Sequence, residues 1–437
     1  MKYFLFVDNF RGFRDTCVPI TDVNFLVGEN STGKTSLLSL VKLLSGPRFF
    51  MGLDFGDPAI GFKHFDDMVS ANSKDRGYFH LGFAAEYKEG KKSETTTSGW
   101  LFTFQEHRGQ PRLTKCTFCR GGELINLRFS SSVLFKSSTC PAHTSAEMIA
   151  TALRSTWVHE HSSHANGYQK LDVPRELGGH LPVLLALSII SELAKKKRKT
   201  QDLVFNPPDI GFAPPSLTWF GPIRTEPKRT YDELITEFSS EGGHTPYLIR
   251  SMLRSRKQAT KLRAFIERVG KASGLFQDVV IQNFGRGANA RFELDIVIDG
   301  LPFNILNVGY GVSQALPIMV EFLARRPHTS FAVQEPEIHL HPKAQAALGD
   351  VIFEMATTEH KQFIVETHSD FMIDRFRMNY RKQRANKPDA QILFFERRDE
   401  HNVVTPLAIN DSGELAADQP AGYRRFFVRE QMDLLGM

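Results

Sequence analysis

The segment that most constrains this chain is a glycine-rich loop at residues 28–35, which reads GENSTGKT. It matches the pattern G-x-x-x-x-G-K-[ST] in full, and it lies between an apolar, β-branched run at 23–27 and a helical pattern that begins at Ser36. In such a loop the backbone N–H groups can turn inward onto phosphate oxygens, and the positive end of the following helix favours the same anion. We call residues 28–35 the phosphate loop; the alternative is a chance match on a glycine-rich turn.

Two side chains of the phosphate loop carry specific chemistry. Lys34 can place a point charge on the β and γ phosphates, and the Thr35 hydroxyl is the expected ligand for Mg²⁺. The sequence therefore predicts that ATP and Mg²⁺ bind here. The predicted ATP contacts are Gly28, Asn30, Ser31, Thr32, Gly33, Lys34, Thr35 and Ser36.

The rest of the sequence shows three kinds of hydrophobic pattern. Short alternating runs between 78 and 136 predict an antiparallel meander. Helical patterns at 144–155, 181–199, 228–238 and 246–272 follow, and the last third alternates strands and helices, as a parallel sheet requires. The predicted class is therefore α/β, divided into an N-terminal ATPase lobe with the meander at 1–140, a helical insertion at 141–275, and a C-terminal ATPase lobe at 276–437.

A buried strand ends in acidic groups near residue 335. The run 331–334 is apolar up to Gln334, and Glu335 and Glu337 follow it. A carboxylate carried to a strand end beside bound phosphate can orient and deprotonate the attacking water, which is the role that we predict for Glu335. The alternative is a surface turn with two solvated glutamates.

A second buried strand ends in polar groups about thirty residues later, at Glu366, Thr367 and His368. A histidine at this point can hydrogen-bond the γ-phosphate or the attacking water. A single histidine carries little information, but the order of strand, polar end and helix after the acidic strand favours a catalytic role for His368.

A second glycine-rich loop precedes the acidic strand by about twenty residues. The predicted contacts in it are Gly309, Gly311, Ser313 and Gln314. Its glycines expose backbone N–H groups, and a helix predicted to begin near Gln314, with Pro317 in its first turn, points its positive end outward at a phosphate. The alternative is a tight turn before a helix.

Taken in order, these sites resemble the ABC-type heads of the RecF, SMC and OLD-like ATPases, a branch of the AAA family. The resemblance implies a RecA-like mixed sheet with a meander lobe and a helical insertion. It also implies that the loop at 309–314 reaches the γ-phosphate bound by a second copy, so that ATP drives a homodimer or higher oligomer. The segment Asn9–Phe13 resembles the part of RecF-like heads that flanks the base, which makes Arg11 a further ATP contact.

Gln334 departs from the family pattern, because an acid that holds Mg²⁺ through water is expected there. A neutral amide is a weaker Mg²⁺ partner than a carboxylate. Either Glu335 or Glu337 compensates, or ATP hydrolysis is slow.

The chain also resembles the stand-alone ATPase subunits of prokaryotic anti-phage systems of the PARIS and Septu type, and no nuclease motif is found in it. The resemblance implies a separate effector protein, such as a nuclease, as the partner. Two alternatives stay open: a RecF-like DNA-repair ATPase that binds DNA directly, and a nucleotide-dependent scaffold with little turnover.

The cysteine spacing raises the question of zinc. Cys116 and Cys119 form C-x-x-C, and Cys140 and His143 form C-x-x-H, which together are a plausible structural Zn²⁺ set. The alternative is that these are free cysteines packed among apolar residues.

The net charge and the hydropathy of the sequence exclude few classes of function. The net charge of +5 permits contact with nucleic acid without arguing for it. The basic run Lys195–Lys199 is either a nucleic-acid contact or the solvated end of a helix. No apolar run is long enough to span a membrane and no signal peptide is evident, so we expect a cytoplasmic protein without membrane contact.

Overall fold

A computed structural model describes residues 2–52, 54–56, 60–88, 95–120, 123–130, 133–139, 145–159, 167–171, 213–232, 235–285, 287, 290–416, 419–423 and 426. The chain divides into two compact units, each made of three separate stretches. The first comprises Met1–Thr21, Glu29–Leu217 and Phe395–Pro406, and the second Asp22–Gly28, Thr218–Phe394 and Leu407–Met437. These units do not coincide with the three consecutive segments that the sequence predicts, because an early strand belongs to the sheet of the second unit.

The first unit contains an antiparallel sheet of eight strands in the order β2-β1-β4-β5-β6-β7-β8-β9. Consecutive strands from β4 to β8 pair as neighbours, which confirms the predicted meander. The strands are β1 (Tyr3–Asp8), β2 (Thr16–Ile20), β4 (Tyr78–Lys88), β5 (Thr95–His107), β6 (Gln110–Arg120), β7 (Glu123–Phe129), β8 (Val133–Thr139) and β9 (Gln169–Leu171).

Apolar side chains pack on both faces of this sheet. On one face, helix α3 (Ala146–Ala152) and a π-helical turn at Leu153–Trp157 bury a cluster that includes Phe6, Leu101 and Cys119. An aromatic cluster fills the other face. Its members include Phe10, Phe49, Phe55, Phe79, Trp100, Phe102 and Phe104, with ring centroids 4.2–6.4 Å apart. The members named here include six of the 36 phenylalanines of the chain.

His80 on β4 is a buried base within the first sheet. It is 4% exposed, and its Nδ1 lies 3.0 Å from the hydroxyl of Thr103 on the neighbouring strand. Burial, reinforced by the charge of Lys115, lowers the pKa of His80 to about 4. The native chain therefore keeps this ring neutral at pH values where an unfolded chain would protonate it.

This difference predicts that acid weakens the fold. Between the unfolded pKa of 6.5 and the folded value of about 4, the unfolded state binds the extra proton, so the free energy of unfolding falls as the pH falls. His80 contributes at most about 3 kcal/mol to this fall in the free energy of unfolding. Denaturant titrations at about pH 7 and about pH 4 should show a smaller loss for His80→Gln than for the wild type; equal losses would contradict this assignment.

A six-stranded sheet has the order β10-β14-β15-β3-β16-β17, and its strands β14, β15 and β3 belong wholly to the second unit. Its central strands β14, β15 and β3 run parallel, and they read as continuous apolar runs because both faces are covered. The strands are β3 (Val23–Gly28), β10 (Leu217–Phe220), β14 (Ser330–Gln334), β15 (Gln362–Glu366), β16 (Ala390–Arg398) and β17 (His401–Ala408).

Helices and a small antiparallel sheet complete the second unit. The helices are α4 (Thr245–Arg254), α5 (Arg256–Ser273), α6 (Tyr310–Ala324), α7 (Pro342–Thr358) and α8 (Asp370–Lys382). The small sheet consists of β11 (Asp278–Phe284), β12 (Arg291–Ile298) and β13 (Leu301–Asn304). One continuous apolar core includes Phe25 of β3, Phe331 of β14 and Phe363 of β15, which confirms the predicted α/β class and the strand–helix alternation of the last third.

Two sequence predictions about helices are wrong. No helix forms in the described residues of 228–238; instead Tyr231 exchanges backbone hydrogen bonds of 2.9 and 3.0 Å with Phe292, which requires extended chain. Helix α6 begins at Tyr310, earlier than predicted, so Pro317 lies inside it rather than in the first turn. Proline there cannot donate to the carbonyl of Ser313. A Cβ added to Gly242 would lie 2.7 Å from the Pro317 ring, which shows how closely this backbone approaches the proline.

In the part of the chain that the structure describes, no helix combines the length and apolar character needed to cross a membrane.

Candidate nucleotide-binding site

The first unit holds the phosphate loop from Glu29 onward, together with helices α1 (Lys34–Ser45) and α2 (Pro47–Gly52). The loop turns through left-handed backbone at Ser31 (φ 64°) and Gly33 (φ 99°), and Gly33 caps the helix. A Cβ on Gly33 would lie 2.5 Å from the Phe13 ring and 2.9 Å from the Asn402 amide. Both the conformation and the close packing therefore require glycine at this position.

The loop residues differ in exposure. Lys34 is 4% exposed, and its Nζ donates to the Glu29 carbonyl oxygen at 2.9 Å; the Thr32 hydroxyl donates to the same oxygen at 2.7 Å. These bonds close the loop around the lysine ammonium. Asn30, Ser31 and Thr35 are exposed at the surface of the loop.

Arg11 lies beside the first turn of α1. Its Nε donates to the Ser36 hydroxyl at 2.9 Å, one terminal nitrogen donates to the Asp67 carbonyl at 2.8 Å, and the guanidinium covers the Phe62 ring. Partial burial lowers the pKa of Arg11 and the charge of Asp67 opposes that shift. The structure thus brings together two residues, Arg11 and Ser36, that the sequence predicts as ATP contacts.

Asn402 supports this arrangement and was missed by the sequence analysis. Its backbone N–H donates to Gly12 at 2.8 Å and its side-chain amide donates to the carbonyl of Arg11 at 3.1 Å, while the side chain packs on Gly33. It holds the segment around Arg11 against the loop. Nothing in the local sequence near residue 402 signals a contact to residues almost 400 positions earlier.

The second unit places three predicted site segments at one sheet edge. Strands β14, β15 and β3 are adjacent and parallel, so their carboxyl ends lie together. Glu335 follows β14, His368 follows β15, and Gly28, the first residue of the phosphate loop, ends β3. Backbone bonds tie these ends: the N–H of Glu335 donates to Glu366 at 2.8 Å, and that of Thr367 donates to Leu26 at 3.1 Å.

Glu335 has an unusual backbone. Its φ of 44° is left-handed, a conformation that costs energy for a residue with a side chain. Arg224 stabilises this turn from behind, since its guanidinium donates to the Gln334 carbonyl at 2.8 Å and to the Pro222 carbonyl at 2.9 Å. Arg224 is 3% exposed; burial lowers its pKa to about 10, and the charges of Glu337 and Glu335 oppose that shift.

Glu337 is engaged with the segment that carries the histidine. Its Oε1 accepts the backbone N–H of His368 at 2.5 Å. Burial raises the pKa of Glu337, the hydrogen bond from His368 opposes the rise, and the charge of Glu335 adds to it. This carboxyl therefore fixes the backbone at His368, whose own side chain is exposed.

Gln334 is buried and donates from Nε2 to the Glu366 carboxylate at 2.9 Å. The described residues contain no group of three or more His, Cys, Asp or Glu side chains arranged around a metal position. Mg²⁺ that accompanies a nucleotide does not need one, because one or two carboxylates suffice beside phosphate and water oxygens. The carboxylate of Glu366 and the amide oxygen of Gln334, which are paired at this sheet edge, are oxygen donors of the kind that Mg²⁺ prefers, so the residues present fit this ion.

The loop at 309–314 forms the exposed start of helix α6, with Gly309 as its N-cap. Gly309 and Tyr310 are exposed. Ser313 and Gln314 are 5% and 3% exposed, so their side chains are not presented to another chain in this conformation. A Cβ on Gly311 would lie 2.7 Å from the carbonyl oxygen of His339, which places the loop after Glu335 directly against the start of α6.

The two cysteines of the C-x-x-C pair do not face a common metal position. Cys116 and Cys119 lie three residues apart on strand β6, and alternate residues of a strand face opposite sides. Both are buried and neither is in a disulfide, and burial raises the pKa of the Cys116 thiol well above its usual range. Their burial on the strand matches the alternative of cysteines packed among apolar residues. Cys140 and His143, the other two predicted zinc ligands, lie outside the described residues. The basic run Lys195–Lys199 also lies outside them.

Two domain families match the parts of the chain that hold these sites. An AAA ATPase domain family matches residues 1–90, which contain the phosphate loop. A AAA domain family whose description names the AbiEii toxin of a type IV toxin–antitoxin system matches residues 225–374, which contain Glu335 and His368.

The chain is similar to the OLD nuclease of Thermus scotoductus (strain ATCC 700910 / SA-01), with 22% identity over 414 residues. That alignment covers 94% of this chain, and the chain spans 65% of the length of that relative.

Among solved structures, an SMC head bound to the C-winged helix domain of ScpA aligns over 93% of this chain and 98% of its own, with 12% identity and a TM-score of 0.46. The SMC head domain from Thermotoga maritima aligns over 92% and 98%, with 12% identity and a TM-score of 0.40. TM-scores of this size do not by themselves establish a shared fold.

Proposed function

Since the chain is an AAA-family ATPase of the ABC and OLD-like type, we propose that it binds ATP with Mg²⁺ and hydrolyses it slowly, in a cycle that joins and separates copies of itself. The observation that carries this proposal is the shared sheet edge of β14, β15 and β3. There Glu335, to which we give the role of general base, the His368 segment and the start of the phosphate loop lie at the ends of three adjacent parallel strands.

The roles follow from the chemistry of each group. The backbone of the phosphate loop and Lys34 bind the triphosphate, and the Thr35 hydroxyl faces its metal. Glu335 accepts the proton of the attacking water, and His368 hydrogen-bonds the γ-phosphate or that water. When bound, Mg²⁺ neutralises charge on the β and γ phosphates.

Self-association uses the exposed start of helix α6. Gly309 and Tyr310 offer backbone N–H groups and the positive end of a helix to an anion, which in a dimer is the nucleotide of the second copy. Dimerisation is then the ATP-driven change that a partner effector senses. We propose a defence role against phage, with a nuclease as the effector, which is supported by the name of the OLD nuclease relative and by the toxin–antitoxin description of the second domain family.

Light scattering tests the dimer. With ATP and Mg²⁺, a Glu335→Gln chain that retains its nucleotide should double in mass. Adding Gly309→Arg should hold it as a monomer, because this glycine lies at the exposed helix start and an added Cβ meets nothing within 4 Å. Gly221→Arg is the matched control, since a Cβ there also meets nothing within 4 Å. A Gly309→Arg chain that dimerises with ATP as fully as its parent would contradict the role given to α6.

A second candidate function, direct DNA binding, is favoured by the charge of α4 and α5. Residues 245–273 carry eight Arg and Lys side chains and one acidic residue, Glu267. A cavity of about 630 Å³ beside them is lined by Arg250, Arg254, Arg325 and Arg326. Phosphate backbones bind such surfaces with strong salt dependence. ATP turnover that duplex DNA stimulates, and that Arg254→Glu no longer shows, would favour this function over effector control.

A further inference from the structure

The pair of Gln334 and Glu366 has no role in the function proposed so far. The two residues lie directly opposite each other at the carboxyl ends of β14 and β15, and each is 5% exposed. The side-chain amide of Gln334 donates to Glu366 Oε2 at 2.9 Å. A neutral amide orients a carboxylate in this way without cancelling its charge.

We propose that Glu366 is the carboxylate that holds the Mg²⁺ of the nucleotide through its water shell, with Gln334 as a positioning residue that orients it. This inference rests on the proposed function, because the ion arrives with ATP. It relocates the acidic group from β14, where Gln334 stands, to the directly paired position on the neighbouring strand.

The position of Glu366 in the sheet supports this assignment. Its carbonyl accepts the N–H of Glu335, and the N–H of the next residue, Thr367, donates to Leu26, two residues before the phosphate loop begins. Glu366 therefore lies on the strand between the one that delivers the general base and the one that delivers the loop. Because Mg²⁺ keeps several waters, a carboxylate at such a position can hold it without direct ligation.

The other carboxylates at this edge are occupied differently. Glu337 Oε1 accepts the backbone N–H of His368 and fixes that segment. Glu335 is the group that receives the proton of the attacking water, and tight engagement with Mg²⁺ would lower its basicity. A division of labour in which Glu366 takes the metal leaves both of these functions intact.

Calorimetric titrations of ATP with Mg²⁺ and with EDTA test the proposal. In the wild type, Mg²⁺ should tighten ATP binding. In Glu366→Gln the Mg²⁺-dependent gain should shrink by about 10-fold or more, as expected when a group that orients a metal is lost. ATP affinity in EDTA should stay unchanged. The exchange variant Gln334→Glu with Glu366→Gln keeps an amide–carboxylate pair, returns the charge to β14, and should restore the gain.

The matched control is Gln362→Met. Gln362 accepts a hydrogen bond from the Ser330 hydroxyl at 2.9 Å at the opposite end of the same two strands, and its replacement should leave the Mg²⁺ effect unchanged. If Glu366→Gln fails to fold, Glu366→Asp keeps the charge, retracts the carboxylate and should weaken the gain several-fold.

Mn²⁺ bound with ATP provides a readout that is independent of turnover. Its electron paramagnetic resonance spectrum should differ between the wild type and Glu366→Gln or Glu366→Asp. A Glu366→Gln or Glu366→Asp chain with the full Mg²⁺ gain and an unchanged Mn²⁺ spectrum would overturn the inference. A wild-type chain that ignores ATP in both Mg²⁺ and EDTA would instead overturn the proposed function.

Discussion

Replacing Glu335 by Gln should lower the turnover of ATP by about 10²- to 10⁴-fold while ATP still binds. The amide has nearly the same shape as the carboxylate but cannot accept the proton of the attacking water. The backbone bond from Glu335 to Glu366 and the support from Arg224 behind the strand end do not involve the Glu335 carboxylate, so the geometry should survive. Phosphate release under saturating ATP measures the effect.

The matched control for this substitution is Glu354→Gln on helix α7, which removes a carboxylate of the same kind that pairs with Arg268 away from the sheet edge. Its turnover should stay near that of the wild type. A Glu335→Gln chain that hydrolyses ATP as fast as the wild type would contradict the assignment of the base. It would favour a nucleotide-dependent scaffold, for which turnover is incidental.

Replacing Lys34 by Ala should weaken ATP binding by about 100-fold, the loss expected for a charge-assisted contact to phosphate. The Lys34 ammonium is buried at the loop, where its Nζ donates to the Glu29 carbonyl oxygen at 2.9 Å, so the side chain is held where a phosphate can replace that carbonyl. Without it the loop keeps its backbone N–H groups but loses the cation.

Thermal unfolding measures this loss through ligand linkage. In a Glu335→Gln background, ATP at about 100 times its Kd should stabilise the native chain by about 2.7 kcal/mol, and Lys34→Ala should abolish most of that gain. Lys42→Ala is the control, because Lys42 lies on the same helix and donates to the Leu217 carbonyl instead. An equal ATP-induced rise in melting temperature in all three chains would contradict the role of Lys34.

The parts of the site that the sequence predicts are those encoded locally. The structure of a glycine-rich loop between a buried strand and a helix can be predicted from its local sequence, because Gly33 adopts a positive φ and the helix begins directly after it. The positions of Glu335 and His368 at strand ends were predictable for a similar reason, because each follows an apolar run of strand length; their roles stay predictions.

The parts that the sequence does not predict depend on pairing between distant segments. Glu366 is recognised as a candidate Mg²⁺-holding carboxylate only from the strand register, which places it opposite Gln334. The supporting role of Asn402 is likewise visible only from its packing against Gly33. The C-x-x-C spacing suggested a metal because spacing alone does not reveal that β6 sends its two thiols to opposite faces. Residues 228–238 were predicted as a helix, but the bridge from Tyr231 to Phe292 holds the chain extended there, as tertiary contacts often override local propensity.

The central claim is that residues 28–35 bind the triphosphate of ATP, and calorimetry of the purified wild-type chain tests it most directly. Titration of ATP in the presence of Mg²⁺ should release heat that saturates at roughly one nucleotide per chain. A titration that shows no binding heat at several temperatures, with a chain that is folded by circular dichroism, would contradict the account.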